Sequence, residues 1–164
     1  MAFDAFLRIE GVPGESTDSK FADWIEILSY SHGVRQPTSS TASSVGGGTT
    51  GRCQHSDFTI AKQLDKASPV LAQKCSQGSH LPEVVLTLCR AGGEKLPFME
   101  YKMTNVVVSR VGTHGSSEGA DIPLEDVCFN YGKIEWTYTQ QKRKDGGGGG
   151  STAGSWNLET NKVS

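Results

Sequence analysis

Few residues in this chain stand where chemistry would put them. His55 and Asp57 lie two apart in His55-Ser56-Asp57. On an extended segment they share a face and could form half of a catalytic or metal site. No third partner is evident, so the plainer reading is a hydrogen bond at a strand end. Cys75 could be drawn with a distant histidine as a thiol nucleophile. It falls, however, on the apolar side of the one helical segment, where packing explains it better. Glu125 and Asp126 are adjacent acids at the start of an extended segment. Strand neighbours point to opposite faces, so the two do not readily converge on one substrate. Cys53, Cys75, Cys89 and Cys128 form no C-x-x-C pair, and no zinc-ligand spacing links them to His32, His55, His80 or His114. Gly46-Gly47-Gly48 lacks the Lys-Ser/Thr that completes a phosphate loop, and the G-x-S-x-G run from Gly115 to Gly119 lies in a polar loop rather than in the strand-turn-helix setting of a nucleophile elbow. The sequence therefore argues against an enzyme, with no catalytic residue, metal or cofactor expected.

Bulk composition narrows the class further. The 164 residues suit a single domain spanning 1–164, long enough to bury a core without disulfides or metals. An apolar fraction of 35% with 21% charged residues fits a soluble globular protein. The formal charge of −2 and the lack of a basic face argue against a nucleic-acid partner. Lys142-Arg143-Lys144 is stopped at once by Asp145 and reads as a solvated turn. The N-terminus has no basic start, apolar stretch and cleavage site, so no conventional signal peptide is expected. No apolar run is long enough to span a bilayer, which argues against membrane insertion. Folding in the cytoplasm with reduced thiols follows, and any exit must use a route that does not read such a signal.

The elements that must hold these residues are mostly strands, because alternation dominates. Phe3 to Val12 opens the chain and stops at the Pro13-Gly14 turn, before a polar loop to Lys20. Trp24 to Val34 reads as one strand, with Ile25, Ile27, Ser29 and Ser31 on one face and Trp24, Leu28 and Tyr30 on the other. Apolar groups on both faces imply a barrel wall that also touches a neighbour. Residues 36–51 are almost entirely Ser, Thr, Gly, Ala and Pro, which build no core; such a loop is either a surface insertion or functional. His55 to Leu64 is a strand. A helix follows, with Ser68 as N-cap, Pro69 at the first helical position, Leu71 and Cys75 one turn apart, and Gly78 as its left-handed end. Val84 to Arg90 and Met99 to Val111 pair around Gly92-Gly93, and Thr113 to Asp121 is a loop. Ile122 to Gln140 is the longest strand, in which Gly132 marks a bulge or a close backbone approach. Residues 142–153, with Gly146 to Gly150, read as a flexible connector, and 154–164 as a closing strand and tail. The fold class is mainly β, an antiparallel sandwich or barrel with one short helix.

Several runs together resemble a known family. His55 to Pro69 looks like its strand-to-helix segment, and Cys89-Arg90-Ala91-Gly92-Gly93 like its hairpin. Met99 to Met103 and Phe129 to Trp136 resemble its two long late strands. Gly14-Glu15-Ser16 and Ser31-His32-Gly33-Val34 also fit. In order, from about residue 2 to about residue 162, the chain resembles the Hcp (haemolysin-coregulated protein) family of the type VI secretion system. Departures fall in residues 36–51, 112–121 and 142–153.

The resemblance implies a two-sheet antiparallel β-barrel with one flanking helix, assembling as a hexameric ring. Rings would stack into an inner tube driven by contractile sheath proteins behind a VgrG-type spike protein, and the lumen would carry secreted effector proteins. The protein would wait in the bacterial cytoplasm and leave through that machine. On this reading Ser29 and Ser31, small and polar, are candidates for the lumen wall. Gln36, Pro37, Thr38, Val45, Thr49 and Arg52 are candidates for ring-to-ring contact. The alternative is a monomeric β-barrel that binds a small ligand.

Overall fold

Alternation does become strand, but the strands are shared out differently from the sequence pattern. A computed structural model describes residues 3–38, 51–119, 121–142 and 148–164. The strands are β1 (Phe3–Ile9), β2 (Ile25–Ile27), β3 (Ser29–Ser31), β4 (Val34–Arg35), β5 (Gln54–His55) and β6 (Phe58–Gln63). Helix α1 (Ser68–Gln77) follows, then β7 (His80–Arg90), β8 (Pro97–His114), β9 (Leu124–Gln141) and β10 (Gly148–Asn157). Eight of the strands form one antiparallel sheet in the order β2-β1-β7-β8-β9-β6-β3, with β10 added to β9, while β4 and β5 form a separate ribbon. The result is a nearly closed antiparallel barrel with one short helix.

The strand expected over Trp24 to Val34 is three strands, and the break at Leu28 is what nearly closes the barrel. β2 pairs with β1, whereas β3 pairs with β6 at the other end of the sheet. Ile25 and Ile27 point into the core, Leu28 is 57% exposed, and Tyr30 packs back against the core. The facing is therefore inverted across the break, and Ser29 and Ser31 are exposed rather than continuing the face of Ile25 and Ile27. The Leu28 amide donates to the Ala61 carbonyl at 2.8 Å, which holds the corner against β6.

A single continuous sheet supplies the walls that a two-sheet barrel would need, because it is creased. On β8 the core residues are Tyr101 and Met103, then Val106 and Val108. On β9 they are Val127, Phe129 and Tyr131, then Ile134 and Trp136, and on β7 they are Leu81, then Val84, Leu86 and Leu88. Parity changes on all three strands along one line, through Pro82, Asn105 and Gly132, without a slip in register there. Asn105 takes a left-handed φ of 53° on that line. Of the two readings of Gly132, close approach is correct: a Cβ there would stand 2.6 Å from Glu159 Oε1. Glu159 also accepts a short hydrogen bond from Asn105 Nδ2, and the Leu158 amide donates to the Gly132 carbonyl at 2.8 Å. The C-terminal tail is thus pinned onto the crease.

β7 buries both faces. Val84, Leu86 and Leu88 join the main core, and Cys89 on the outer face joins Phe6, Phe21 and Trp24 beneath the segment from 14 to 24. Phe6 and Phe21 stack with centroids 4.5 Å apart. Gly14 seats this cover so closely that a Cβ would meet the Trp24 carbonyl oxygen at 2.4 Å.

The helix ends as expected, at left-handed Gly78, but Ala67 occupies the N-cap position. Ser68 is turned back instead, accepting from the Asp65 amide at 3.1 Å, while Asp65 accepts from the Ala67 amide at 2.9 Å. Leu71 is fully buried and the helix lies on β8. The connector expected over 142–153 is strand from Gly148 onward, paired along β9 with a register shift between Gly148 and Gly150.

Candidate functional site

The residues with chemical potential are dispersed. His55 turns inward, its Nδ1 lying 2.8 Å from the Tyr131 hydroxyl. Asp57 accepts instead from Ser109 Oγ at 2.7 Å and Asn130 Nδ2 at 3.0 Å. The two are satisfied by different elements, as the hydrogen-bond reading anticipated. Cys75 packs against the core. Burial, with the nearby Asp4 carboxylate, pushes the Cys89 thiol up to about 11, which leaves it unreactive near neutral pH. Asp126 faces His114 at 3.9 Å, whereas Glu125 points inward and is buried. Among the described residues, no group of three or more His, Cys, Asp or Glu is placed to hold a metal ion.

Glu125 has a partner that sequence reasoning missed. Lys62 follows Phe58 and Ile60 on the inward period of β6 and is fully buried with them. Its Nζ lies 3.3 Å from Glu125 and 2.7 Å from Asp65, and donates to Ser68 Oγ at 3.0 Å. The cation fastens β9 to the start of α1. The signal was present as a charge on an apolar period, opposite an acid in a paired strand.

The surface carries two groups of exposed apolar side chains. Leu28 is 57% exposed and Ile122 is 42% exposed; together with Leu64 they form the apolar part of a depression also lined by Glu15, Glu26 and Asp65. On β9, Tyr138 is 50% exposed, and Val34 at 51% lies beside Trp136 and Trp156. The two groups share no lining residue.

The extended loop leaves from a narrow root. β4 and β5 pair only Val34 with His55 and Arg35 with Gln54. Gln36 Nε2 donates to the Gly51 carbonyl at 2.7 Å, closing the root beyond the ribbon. Thr38 and Arg52 are exposed and Pro37 is half-buried, while Val45 and Thr49 lie outside the described residues.

Residues 6–138 match the family model described as "Type VI secretion system effector, Hcp". The chain belongs to the Hcp family. Its relatives include "Protein hcp1" of Pseudomonas aeruginosa, 36% identical and covering 98% of both chains. A second relative from that organism, "Major exported protein", is 26% identical, over 76% of this chain and 74% of its own. Among solved structures, one described as "a type six secretion system protein" superposes with a TM-score of 0.93 at 35% identity, covering 99% of this chain and all of the other. Hcp membership makes the chain a structural protein of type VI secretion and not an enzyme.

Proposed function

We propose that this Hcp-family chain forms a closed hexameric ring, and that rings stack into the expelled inner tube of the type VI secretion machine. The observation that carries the reading is a pair of distinct groups of exposed apolar side chains, Leu28 with Ile122 and Val34 with Tyr138. Exposed patches of this kind mark protein contacts. Two different patches that fit each other make a head-to-tail interface, and such an interface closes into a ring when its rotation allows. The count of six comes from the family.

The same reading supplies the partners: other rings above and below, a VgrG-type spike protein, contractile sheath proteins and secreted effector proteins. The chain resides in the bacterial cytoplasm before firing and is then exported, in keeping with its likeness to a "Major exported protein". Residues 36–51 serve ring-to-ring contact, and exposed Ser29 and Ser31 face the channel. A Ser31→Gln ring would stay assembled and release effectors more readily; unchanged effector co-purification would remove Ser31 from the wall. The ligand-binding barrel loses ground because the interior is filled: Phe58, Ile60, Met103, Phe129 and Ile134 are all fully buried.

Native mass spectrometry tests the ring. The expected species has six times the 17.6 kDa mass of the chain. Leu28→Glu places a charge in one patch without touching the core, and should yield folded single chains. A wild-type protein that remains monomeric at tens of micromolar, or a Leu28→Glu protein that still forms rings, would count against the reading.

A further inference from the structure

His32 sits between β3 and β4, at the base of the ribbon that carries the loop. Its ring stacks on Phe58 with centroids 5.1 Å apart and lies 6.3 Å from Trp136, with Tyr131 and Tyr101 edge-on at 5.8 and 6.3 Å. His55, across the ribbon, is 6.4 Å away. Both His32 nitrogens are shielded, and among the described residues neither makes a hydrogen bond. The ribbon has two residue pairs of its own, so this aromatic floor, with the Ser56–Gly33 hydrogen bonds, is what holds it down.

No group facing the histidines offers them a compensating charge. β8 contributes Tyr101 and β9 contributes Tyr131, and burial pushes both hydroxyls well above the ordinary tyrosine range, so both are neutral. Cys53 precedes β5, and Asp57 is engaged by Ser109 and Asn130. Arg35 and Arg52 flank the ribbon and bring only positive charge. Among the described residues no salt bridge reaches His32 or His55.

We propose that His32 and His55 form an acid-opened latch, whose protonation releases the β4–β5 ribbon, and with it the root of the 36–51 loop, from the aromatic floor. A cation on His32 would stand among aromatic rings beside a second imidazole, whereas in the open ribbon it would be hydrated. Burial lowers both pKa values below the ordinary 6.5, and the proximity of His55 lowers that of His32 further, against a smaller opposing influence of the Ser56 backbone. The open state therefore binds protons more readily than the closed one. The latch holds fully above the ordinary value and weakens as pH falls from it toward the depressed values. Where the loop joins rings, stacking is acid-labile; only that consequence rests on the ring reading.

The test uses the purified full chain. Amide exchange at Arg35, Gln54 and Ser56, corrected for its intrinsic pH dependence, is followed from about pH 8 to about pH 5.5, the span over which histidines titrate. Protection should fall severalfold in the wild type. It should stay level in His32→Phe, which keeps an aromatic ring and cannot charge, whereas His80→Gln and His114→Gln should retain the response. Level protection in the wild type, or an undiminished response in His32→Phe, overturns the latch. Should His32→Phe not fold, nuclear magnetic resonance titration of both imidazoles in the wild type decides: ordinary pKa values overturn it, and depressed ones that track ribbon opening support it. Native mass spectra of the same samples report ring state separately, so a failed ring leaves the latch result readable.

Discussion

Lys62 gives the sharpest perturbation. Its side chain is 0% exposed, beside a Glu125 side chain at 1% and an Asp65 side chain at 11%. Lys62→Met keeps the chain length and apolar stem and removes the charge. Glu125 is then buried without its counter-ion, and Ser68 and Asp65 each lose a donor at the head of α1. Removing one partner of a buried pair costs about 3–5 kcal/mol. For a chain of this size that lowers the unfolding midpoint by about 6–20 °C. Far-ultraviolet circular dichroism at fixed protein concentration measures it, since assembly makes the midpoint concentration-dependent. Lys62→Met with Glu125→Leu removes both charges, and should recover much of the loss, because well-packed apolar replacements of a buried pair are often neutral or better. A single-variant loss below about 1 kcal/mol, the range of an exposed ion pair, would refute the reasoning.

Other changes probe other parts of the argument. Gly14→Ala drives a Cβ into the Trp24 and Ile25 backbone, which cannot move as a side chain would; a loss of about 1–3 kcal/mol, with easier access to Cys89 by a thiol reagent, is expected. Asn105→Ala at the left-handed position should cost about 1–2 kcal/mol from backbone strain alone, besides loosening Glu159, as read by urea unfolding. Replacing residues 36–51 with a short Gly-Ser turn changes closure entropy by only about 1 kcal/mol. The ring should survive while tube formation and secretion fall; secretion at the normal level would clear the loop of that role.

The sequence made much of this fold legible, for reasons that can be named. Val84 to Arg90 and Met99 onward alternate strongly around Gly92-Gly93, and the hairpin forms there, with both glycines at positive φ. Pro69 and Gly78 bracketed the helix, while its N-cap was hidden because Ser68 serves Lys62 and Asp65 rather than the helix end. The break at Leu28 was illegible because alternation reports facing only while a strand keeps one partner, and this strand changes partners between residues 27 and 29. The Gly-rich stretch from Gly148 looked unstructured by composition, yet β9 extends far enough to hold it by backbone pairing. The His32–His55 floor is assembled from the β3–β4 link and from β5, β6, β8 and β9, so no local pattern announces it.

The crease through Pro82, Asn105 and Gly132 has a mechanical consequence. β7, β8 and β9 each run unbroken from one wall of the barrel into the other. A load on one wall therefore passes to its opposite through covalent backbone, not through side chains packed across a gap. Walls joined in this way cannot slide over each other like two stacked plates; to part them, several ladders must be torn together. Forced unfolding is governed by the rate of such rupture rather than by equilibrium stability. A unit built like this stays stiff when pushed end to end, as a part of a driven shaft must.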